Sequence, residues 1–277
     1  MDIGRLGVWS SELRFGDPKR NQDAAAELEA LGYGAAWLGG SPGVRHAQRL
    51  LAATSRLVVA TGILSIWDYE PETVAKEEAA LAADHPGRFL LGLGASHGAL
   101  VGDRYTRPYS AMIDYLDRLD AAGSPPERRV LAALGPKMLA ASKDRAAGAH
   151  PYLITPEHTR RAREALGTGP LLAPEVKVVL ESDPARARAA ARGHLEMYLQ
   201  LPNYTSNLLR LGFEEGDVAG GGSDRLIDAV FAWGDVEAVG RRLAEHFDAG
   251  ADHLALQVIT DGDEPPVAQW RELAPLL

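Results

Sequence analysis

The sequence contains no cysteine, which excludes disulfide bonds, thiolate metal sites and a catalytic thiol. It also contains no apolar run as long as a membrane span, and its start, MDIGRLGVWSSELRFGD, lacks the basic region and apolar stretch of a secretory signal. Basic side chains are few, with 29 Lys and Arg against 38 Asp and Glu and a net charge of −9. An acidic surface attracts neither nucleic acid nor an anionic membrane. We therefore expect a soluble, cytoplasmic protein without either partner.

Short apolar segments alternate with helical patterns along the chain. Their apolar character is continuous, which favours parallel strands that are covered on both faces. The eight predicted strands are LGVW (6–9), AAWL (35–38), LVVATGIL (57–64), FLLGLG (89–94), VLAAL (130–134), HPYLIT (150–155), VKVVLE (176–181) and HLALQVI (253–259). This order predicts an α/β fold over residues 1–277, a single-domain (β/α)8 TIM-type barrel. A doubly wound open sheet is the alternative, because the same local pattern makes both.

Several helix boundaries are marked by specific residues. An N-cap acceptor precedes a proline in Asp17-Pro18, Thr155-Pro156 and Asp183-Pro184. Gly32 and Gly167 follow helical patterns as C-terminal glycines. The long interval between residues 182 and 252 fits no single helix, so we expect an insertion before the last strand.

The segment RFLLGLGASHG, residues 88–98, overlaps two known motifs. A dinucleotide fingerprint needs a third glycine and an acid at the end of the next strand. Here the position of the third glycine is occupied by His97. The acid at the right distance, Asp114, lies in the helical pattern AMIDYLDRL. The fingerprint is therefore rejected.

The same segment contains G-x-S-x-G, the nucleophile motif of serine hydrolases. That motif requires a helix immediately after Ser96 and a later histidine on a strand-end loop. We expect a long loop after Ser96, whereas His246 lies in a helical pattern and His253 at the start of a strand. A hydrolase is therefore disfavoured. The histidines are also scattered without ligand spacing, so no metal site is expected.

The remaining candidates are the loops at the carboxyl ends of the predicted strands, where barrels place their active sites. The turns at 95–98 and 135–137 lead towards helices and would present backbone N–H groups to a phosphate, with Lys137 adding charge. Trp9 and Trp67 would form flat walls for a ring system. Together they favour a pocket for a phosphorylated aromatic cofactor and a small-molecule substrate.

Several segments, taken in order, resemble the bacterial luciferase-like monooxygenase superfamily and, more narrowly, its deazaflavin (coenzyme F420)-dependent oxidoreductase branch. They are VATGI, HPGRFLLGLGASHG, VLAALGPKML, GAHPYLITPEHTRRAREALG, LLAPEVKVVLESDPARARAAA, LPNYTSNLLRLGF and AGADHLALQV. The likeness covers nearly the whole chain.

The resemblance implies a TIM-type barrel with the cofactor at the carboxyl-terminal mouth, and a homodimer. It places a non-proline cis peptide, on which the ring packs, at Gly62-Ile63. The implied phosphate site comprises Gly94, Ala95, Ser96, His97, Gly135, Pro136 and Lys137. Relatives often have an acid after the second strand, where this chain has Gly39-Gly40, so that contact is missing.

The expected activity is hydride exchange between bound F420 and an unidentified small organic substrate. His97 is the candidate catalytic residue, with holding the phosphate or the loop as its alternative role, and Trp9 and Trp67 are expected to shape the substrate side. Arg104, Arg107 and Lys137 would serve the anionic tail of the cofactor. Two alternatives remain open. One is an FMN-dependent monooxygenase, and the other is a barrel that binds a cofactor without turnover.

Overall fold

A computed structural model describes residues 1–277. Its strands are β1 Leu6–Ser10, β2 Ala35–Leu38, β3 Val58–Thr61, β4 Leu64–Ser65, β5 Phe89–Gly94, β6 Arg129–Leu131, β7 Gly148–Ala149, β8 Leu171–Leu172, β9 Glu175–Val179, β10 Phe231–Trp233 and β11 Leu254–Val258. Its α-helices are α1 Pro18–Leu31, α2 Arg45–Ala52, α3 Pro71–Asp84, α4 Gly98–Val101, α5 Pro108–Ala121, α6 Pro136–Arg145, α7 Pro156–Leu166, α8 Pro184–Leu199, α9 Pro202–Arg210, α10 Glu215–Val218, α11 Asp224–Val230, α12 Val236–Asp248 and α13 Val267–Leu273. No helix combines the length and the apolar character that crossing a membrane requires.

All strand pairs are parallel, and the sheet order is β10-β9-β11-β1-β2-β3-β5-β6-β7-β8, with β4 beside β5. The segment between β8 and β9 hydrogen-bonds to the segments on both of its sides. The Ala173 N–H donates to the Ala149 carbonyl, and the Pro174 carbonyl accepts from the Ala255 N–H. The sheet therefore curls into a half-barrel that is compatible with a TIM-like fold. The predicted α/β class is confirmed, but the ladder is not a fully closed barrel of eight strands.

Two strand predictions need correction. Residues 150–155 are not a strand. Strand pairing ends at Ala149, and Pro151, two residues later, has no N–H group to donate to a ladder. The predicted strand 57–64 is divided into β3 and β4 at Gly62-Ile63. In addition, β10 lies inside the predicted insertion and pairs with β9, so that insertion contributes to the sheet.

The predicted helix caps are confirmed. The Asp17 carboxylate accepts from the N–H groups of Lys19 and Arg20, and the side chains of Thr155 and Asp183 cap α7 and α8 in the same way. Gly32 ends α1 with a φ of 100°, a left-handed conformation that favours glycine. These local signals fix where the helices begin, and hence how the strand-end loops lead into them.

The interior of the curled sheet holds polar side chains among small apolar ones. Trp37 stacks on His150 with ring centroids 4.1 Å apart, and its indole N–H donates to His253 Nε2 at 3.0 Å. Burial lowers the pKa of both histidines to about 4. Both imidazoles are therefore neutral at physiological pH. The main apolar core lies outside the sheet, between the strands and the surrounding helices.

Candidate functional site

The two predicted phosphate turns emerge side by side from neighbouring strands. β5 pairs with β6, with Leu93 opposite Leu131, and the Ala132 N–H donates to the Leu93 carbonyl at 2.8 Å. Residues 95–98 follow β5, and residues 135–137 begin α6 shortly after β6. The sheet therefore brings these two turns together at its carboxyl edge, as parallel pairing requires.

The peptide bond between Gly62 and Ile63 is cis, as the resemblance implied. The Gly62 carbonyl accepts a hydrogen bond of 2.8 Å from the buried indole N–H of Trp9. Gly94 packs against Ile63 from the neighbouring strand, since a Cβ on Gly94 would lie 2.5 Å from Ile63 Cδ1. These contacts fix the half-buried Ile63 side chain between β3 and β5.

The turn after β5 carries both Ser96 and His97. Ser96 has a φ of 55°, and the Ala95 carbonyl accepts from Trp67 Nε1 at 2.5 Å. His97 Nδ1 is buried and has no hydrogen-bond partner, and burial lowers the pKa of this imidazole. Neutral His97 therefore has a ring nitrogen available to a ligand, with Tyr204 packed against it at a centroid distance of 5.0 Å.

The environment of Ser96 differs from the predicted long loop, because the short helix α4 begins only two residues later, at Gly98. The distant histidines do not support a nucleophilic serine. His246 Nδ1 bonds to the Thr159 hydroxyl at 2.9 Å, and His253 bonds to Trp37. Both are buried, so Ser96 has no histidine base.

The turn after β6 caps a ten-residue helix. Gly135 is the N-cap of α6, Pro136 occupies its first turn, and no atom lies within 4 Å of a Cβ built on Gly135. The first N–H groups of a helix lack partners within it, so this end can hold an anion. Lys137 is exposed, with its Nζ 6.0 Å from the Tyr109 ring centroid.

Arg104 and Arg107, which are expected to serve the anionic tail of the cofactor, differ in their contacts. Arg104 donates to the Trp67 carbonyl and pairs with the Asp68 carboxylate at 3.2 Å. Arg107 is exposed and precedes α5 with a φ of 43°. Of the three basic residues expected at the tail, Lys137 is the one that belongs to a predicted phosphate turn, while Arg104 hydrogen-bonds to Trp67.

Other residues occupy the space at Gly39-Gly40, where relatives often have an acid. A Cβ on Gly39 would lie 2.3 to 2.8 Å from three ring atoms of Trp9, so the indole occupies the space in front of this glycine. Arg14 donates to the carbonyls of both glycines, at 2.7 Å to Gly39. The position after β2 thus supports Trp9 and holds a guanidinium on main-chain oxygens.

Gly39→Ala is expected to lower the free energy of unfolding by about 1–3 kcal/mol, because the added methyl group displaces a buried indole. Urea denaturation measures this. Gly193→Ala in α8, where no atom lies within 4 Å of the added carbon, is the control and should not destabilise the protein. Trp9→Phe in the Gly39→Ala background should recover part of the loss. Full stability of Gly39→Ala would contradict this packing.

A buried polar network beside Trp9 was not predicted from the sequence. Lys177 Nζ lies 2.9 Å from Glu175 Oε1 and 2.9 Å from Gln257 Oε1, and both charged side chains are fully buried. The same Gln257 oxygen is 2.7 Å from the Tyr152 hydroxyl, which is 2.7 Å from the hydroxyl of Tyr198. The Tyr152 ring lies 5.4 Å from that of Trp9. The only sequence signal was a lysine in the apolar strand VKVVLE.

Burial sets the electrostatics of this network. It raises the pKa of Glu175, and it lowers that of Lys177 to about 8, while each partner's charge opposes the shift of the other. It also raises the pKa of Tyr198 to about 12 and, with the charge of Lys177, lowers that of His194 to about 3. The phenol of Tyr198 and the neutral imidazole of His194 are therefore uncharged near pH 7.

A cleft of about 570 Å³ lies elsewhere, between α7, α11 and α12. Its arginines are already paired, Arg225 with Asp217 and Arg242 with Glu245. This cleft offers no free charge or unpartnered donor to a ligand, so the carboxyl edge of the sheet is the better candidate.

Comparison with known proteins gives a family match and several similar structures. The family model described as luciferase-like monooxygenase matches residues 4–253, whereas no curated protein matches the chain. An F420-dependent secondary alcohol dehydrogenase, in complex with an F420-acetone adduct, has a TM-score of 0.75 at 14% identity and covers 99% of this chain and 98% of that one.

Other solved structures are similar. The F420-dependent tetrahydromethanopterin reductase from Methanopyrus kandleri has a TM-score of 0.69 at 16% identity, with coverage of 97% of this chain and 96% of that one. The oxygenating constituent of 3,6-diketocamphane monooxygenase from Pseudomonas putida, in complex with FMN, has a TM-score of 0.71 at 14% identity, with coverage of 99% and 98%. At these identities the likeness shows the fold.

Proposed function

Because the chain belongs to the luciferase-like monooxygenase family, we propose that it is an oxidoreductase that exchanges a hydride between coenzyme F420 and a small organic substrate. The observation that carries this proposal is His97, whose buried Nδ1 has no partner and which lies in one of two neighbouring turns suited to a phosphate. Buried polar atoms are ordinarily bonded. A bound group that reaches His97 would satisfy this nitrogen.

The residues at the carboxyl edge fit a phosphorylated ring cofactor. The backbone of residues 95–98 and the start of α6 would hold the phosphate, with Lys137 adding a positive charge. Gly94 leaves room for the Ile63 side chain. Gly62, Ile63 and Gly94 would together form a wall for the ring. When bound, the deazaflavin supplies the two-electron chemistry, and the protein orients it and excludes water.

Three side chains have proposed roles on the substrate side. Trp9 holds the Gly62 carbonyl and forms one wall, and Trp67 is fixed over the turn by its bond to the Ala95 carbonyl. His97 is the candidate catalytic residue. Since burial lowers the pKa of its imidazole, His97 would accept a hydrogen bond or a proton at Nδ1 near neutral pH.

The alternative function uses FMN. The similarity to the FMN complex of 3,6-diketocamphane monooxygenase, with a TM-score of 0.71, supports this alternative. The F420-dependent alcohol dehydrogenase, with a TM-score of 0.75, and the exposed Lys137 beside the turns support F420, whose tail is long and anionic. We therefore place F420 first and FMN second.

Titration of the purified chain with each cofactor tests the proposal. We expect micromolar binding of F420, at least about tenfold weaker binding of FMN, and weaker F420 binding at high salt because exposed charges are screened. Fluorescence and calorimetry measure both affinities. Binding of FMN without F420 would favour the monooxygenase, and binding of neither would overturn the proposal.

A further inference from the structure

Aromatic side chains from the insertion form a cluster next to the proposed cofactor site. His194, Tyr198 and Tyr204 come from α8 and α9, and His97 comes from the turn after β5. Ring centroids are 5.3 Å apart for His194 and Tyr198, 5.5 Å for Tyr198 and Tyr204, and 5.0 Å for Tyr204 and His97. We call these four residues, with the ligand site proposed beside them, the tyrosine recess. His194 Nε2, like His97 Nδ1, is buried without a partner.

The network behind the recess fixes the direction of its hydrogen bonds. An ammonium group only donates, so Lys177 requires that the Gln257 atom 2.9 Å away is the amide oxygen. The Tyr152 hydroxyl, 2.7 Å from that oxygen, must then donate its only proton to it.

The same reasoning extends one step outward. Because the Tyr152 proton is used, the contact of 2.7 Å between the two hydroxyls requires Tyr198 to donate to Tyr152. The high pKa of both phenols keeps both protons in place at neutral pH. The half-buried Tyr198 has therefore used its only proton, and its oxygen offers lone pairs alone to a ligand.

The charges around the recess disfavour an anionic ligand. The buried Lys177 is neutralised by Glu175 at 2.9 Å. Glu12 lies near enough for its negative charge to contribute to the raised pKa of Tyr198. The two recess imidazoles, His97 and His194, have lowered pKa values and are uncharged at neutral pH.

From this polarity we propose that the substrate is a neutral hydroxyl compound whose O–H donates to Tyr198, which makes Tyr198 a specificity-determining residue. Tyr152 and Gln257 are positioning residues, since they act by orienting the Tyr198 proton inward. A ketone of the same shape would place its lone pairs against those of Tyr198. This inference rests on the proposed function, because it takes the molecule that binds in the recess to be the substrate.

Cyclohexanol and cyclohexanone, which differ only in this group, are suitable probes for the whole chain without cofactor. We expect cyclohexanol to bind about tenfold more tightly, the scale of one hydrogen bond. Ligand-detected NMR titration measures both affinities. In Tyr198→Phe the difference should shrink to less than about twofold. Tyr115→Phe is the control, because the Tyr115 hydroxyl is buried in α5 without a partner.

Tyr152→Phe gives a result that a merely structural role would not produce. Removal of its oxygen frees the Tyr198 proton, so Tyr198 can donate to a carbonyl, and cyclohexanone should now bind at least as tightly as cyclohexanol. Circular dichroism confirms folding of each variant. Equal affinities in the unmodified protein, no saturable binding of either probe, or an unchanged preference in both variants would overturn the proposal.

A parallel F420 titration separates this inference from the proposed function. Tyr198→Phe should bind F420 like the unmodified protein. If no form binds F420 and the alcohol preference stands, the proposed function fails while the polarity of the recess is supported. If F420 binds and cyclohexanol is not preferred, the inference fails alone.

Discussion

Lys177→Met is expected to lower the free energy of unfolding by about 3–5 kcal/mol, more than overpacking at Gly39 or Gly94 does. Lys177 and Glu175 are both fully buried, with Nζ and Oε1 2.9 Å apart. Removal of the lysine leaves the Glu175 carboxylate with one main-chain partner, the Leu153 N–H at 3.1 Å. The cost arises because a buried carboxylate without a counter-ion loses its hydration and gains too little in return.

A double variant separates this loss of charge pairing from a loss of packing. Glu175→Gln in the Lys177→Met background removes both charges while an amide oxygen can still accept from Leu153, so most of the stability should return. Guanidinium denaturation of both single variants and the double variant gives the coupling energy. Equal instability of Lys177→Met and the double variant would show that methionine packing, and not the carboxylate, is responsible.

The pH dependence of Lys177→Met provides an independent check. Burial already raises the pKa of Glu175 above the unfolded value, and without the lysine the rise is larger. The folded state then binds more protons than the unfolded state between the two pKa values, so stability falls as pH rises through this window. The deficit of Lys177→Met should therefore be smaller at pH 5 than at pH 8. A deficit that grows on acidification would contradict this assignment.

Local patterns predicted the central strands well because those strands depend on little beyond their own residues. AAWL at 35–38 and FLLGLG at 89–94 match β2 and β5, since continuous apolar runs suit a sheet covered on both faces. HPYLIT failed because only His150 and Pro151 still form main-chain to main-chain hydrogen bonds with neighbouring segments, while the apolar residues Leu153 and Ile154 are buried outside the ladder. FAW at 231–233 is only three residues long, and its pairing with β9 is not visible in its own sequence.

The site depended more on contacts between distant parts of the chain. Trp9 and Gly62 are 53 residues apart, and Lys177 and Gln257 are 80 residues apart. Glycine patterns located the two turns, but a cis bond has no periodic signature, so Gly62-Ile63 came from the family resemblance alone. The network around Lys177 was not predicted, because its partners become identifiable only once β9 and β11 are paired.

Gly94→Val is expected to weaken F420 binding at least about 100-fold, or about 2.7 kcal/mol. An added Cβ would lie 2.5 Å from Ile63 Cδ1, 2.7 Å from Ile63 Cγ1 and 3.3 Å from Ala132 Cβ. The Ile63 side chain must move away from β5, and we expect it to move into the proposed ring site. The protein itself should lose only about 1–3 kcal/mol, as in other overpacked variants.

Fluorescence titration with F420 measures this loss, and denaturation shows that the variant is folded. Gly193→Ala, on α8 with open space around the added carbon, should bind F420 normally. Shortening Ile63 to alanine in the Gly94→Val background removes the displaced atoms and should recover part of the affinity. If Gly94→Val binds F420 as the unmodified chain does, the ring does not lie against Ile63. If the double variant binds no better than Gly94→Val, the valine acts by another route, such as displacing the turn at residues 95–98.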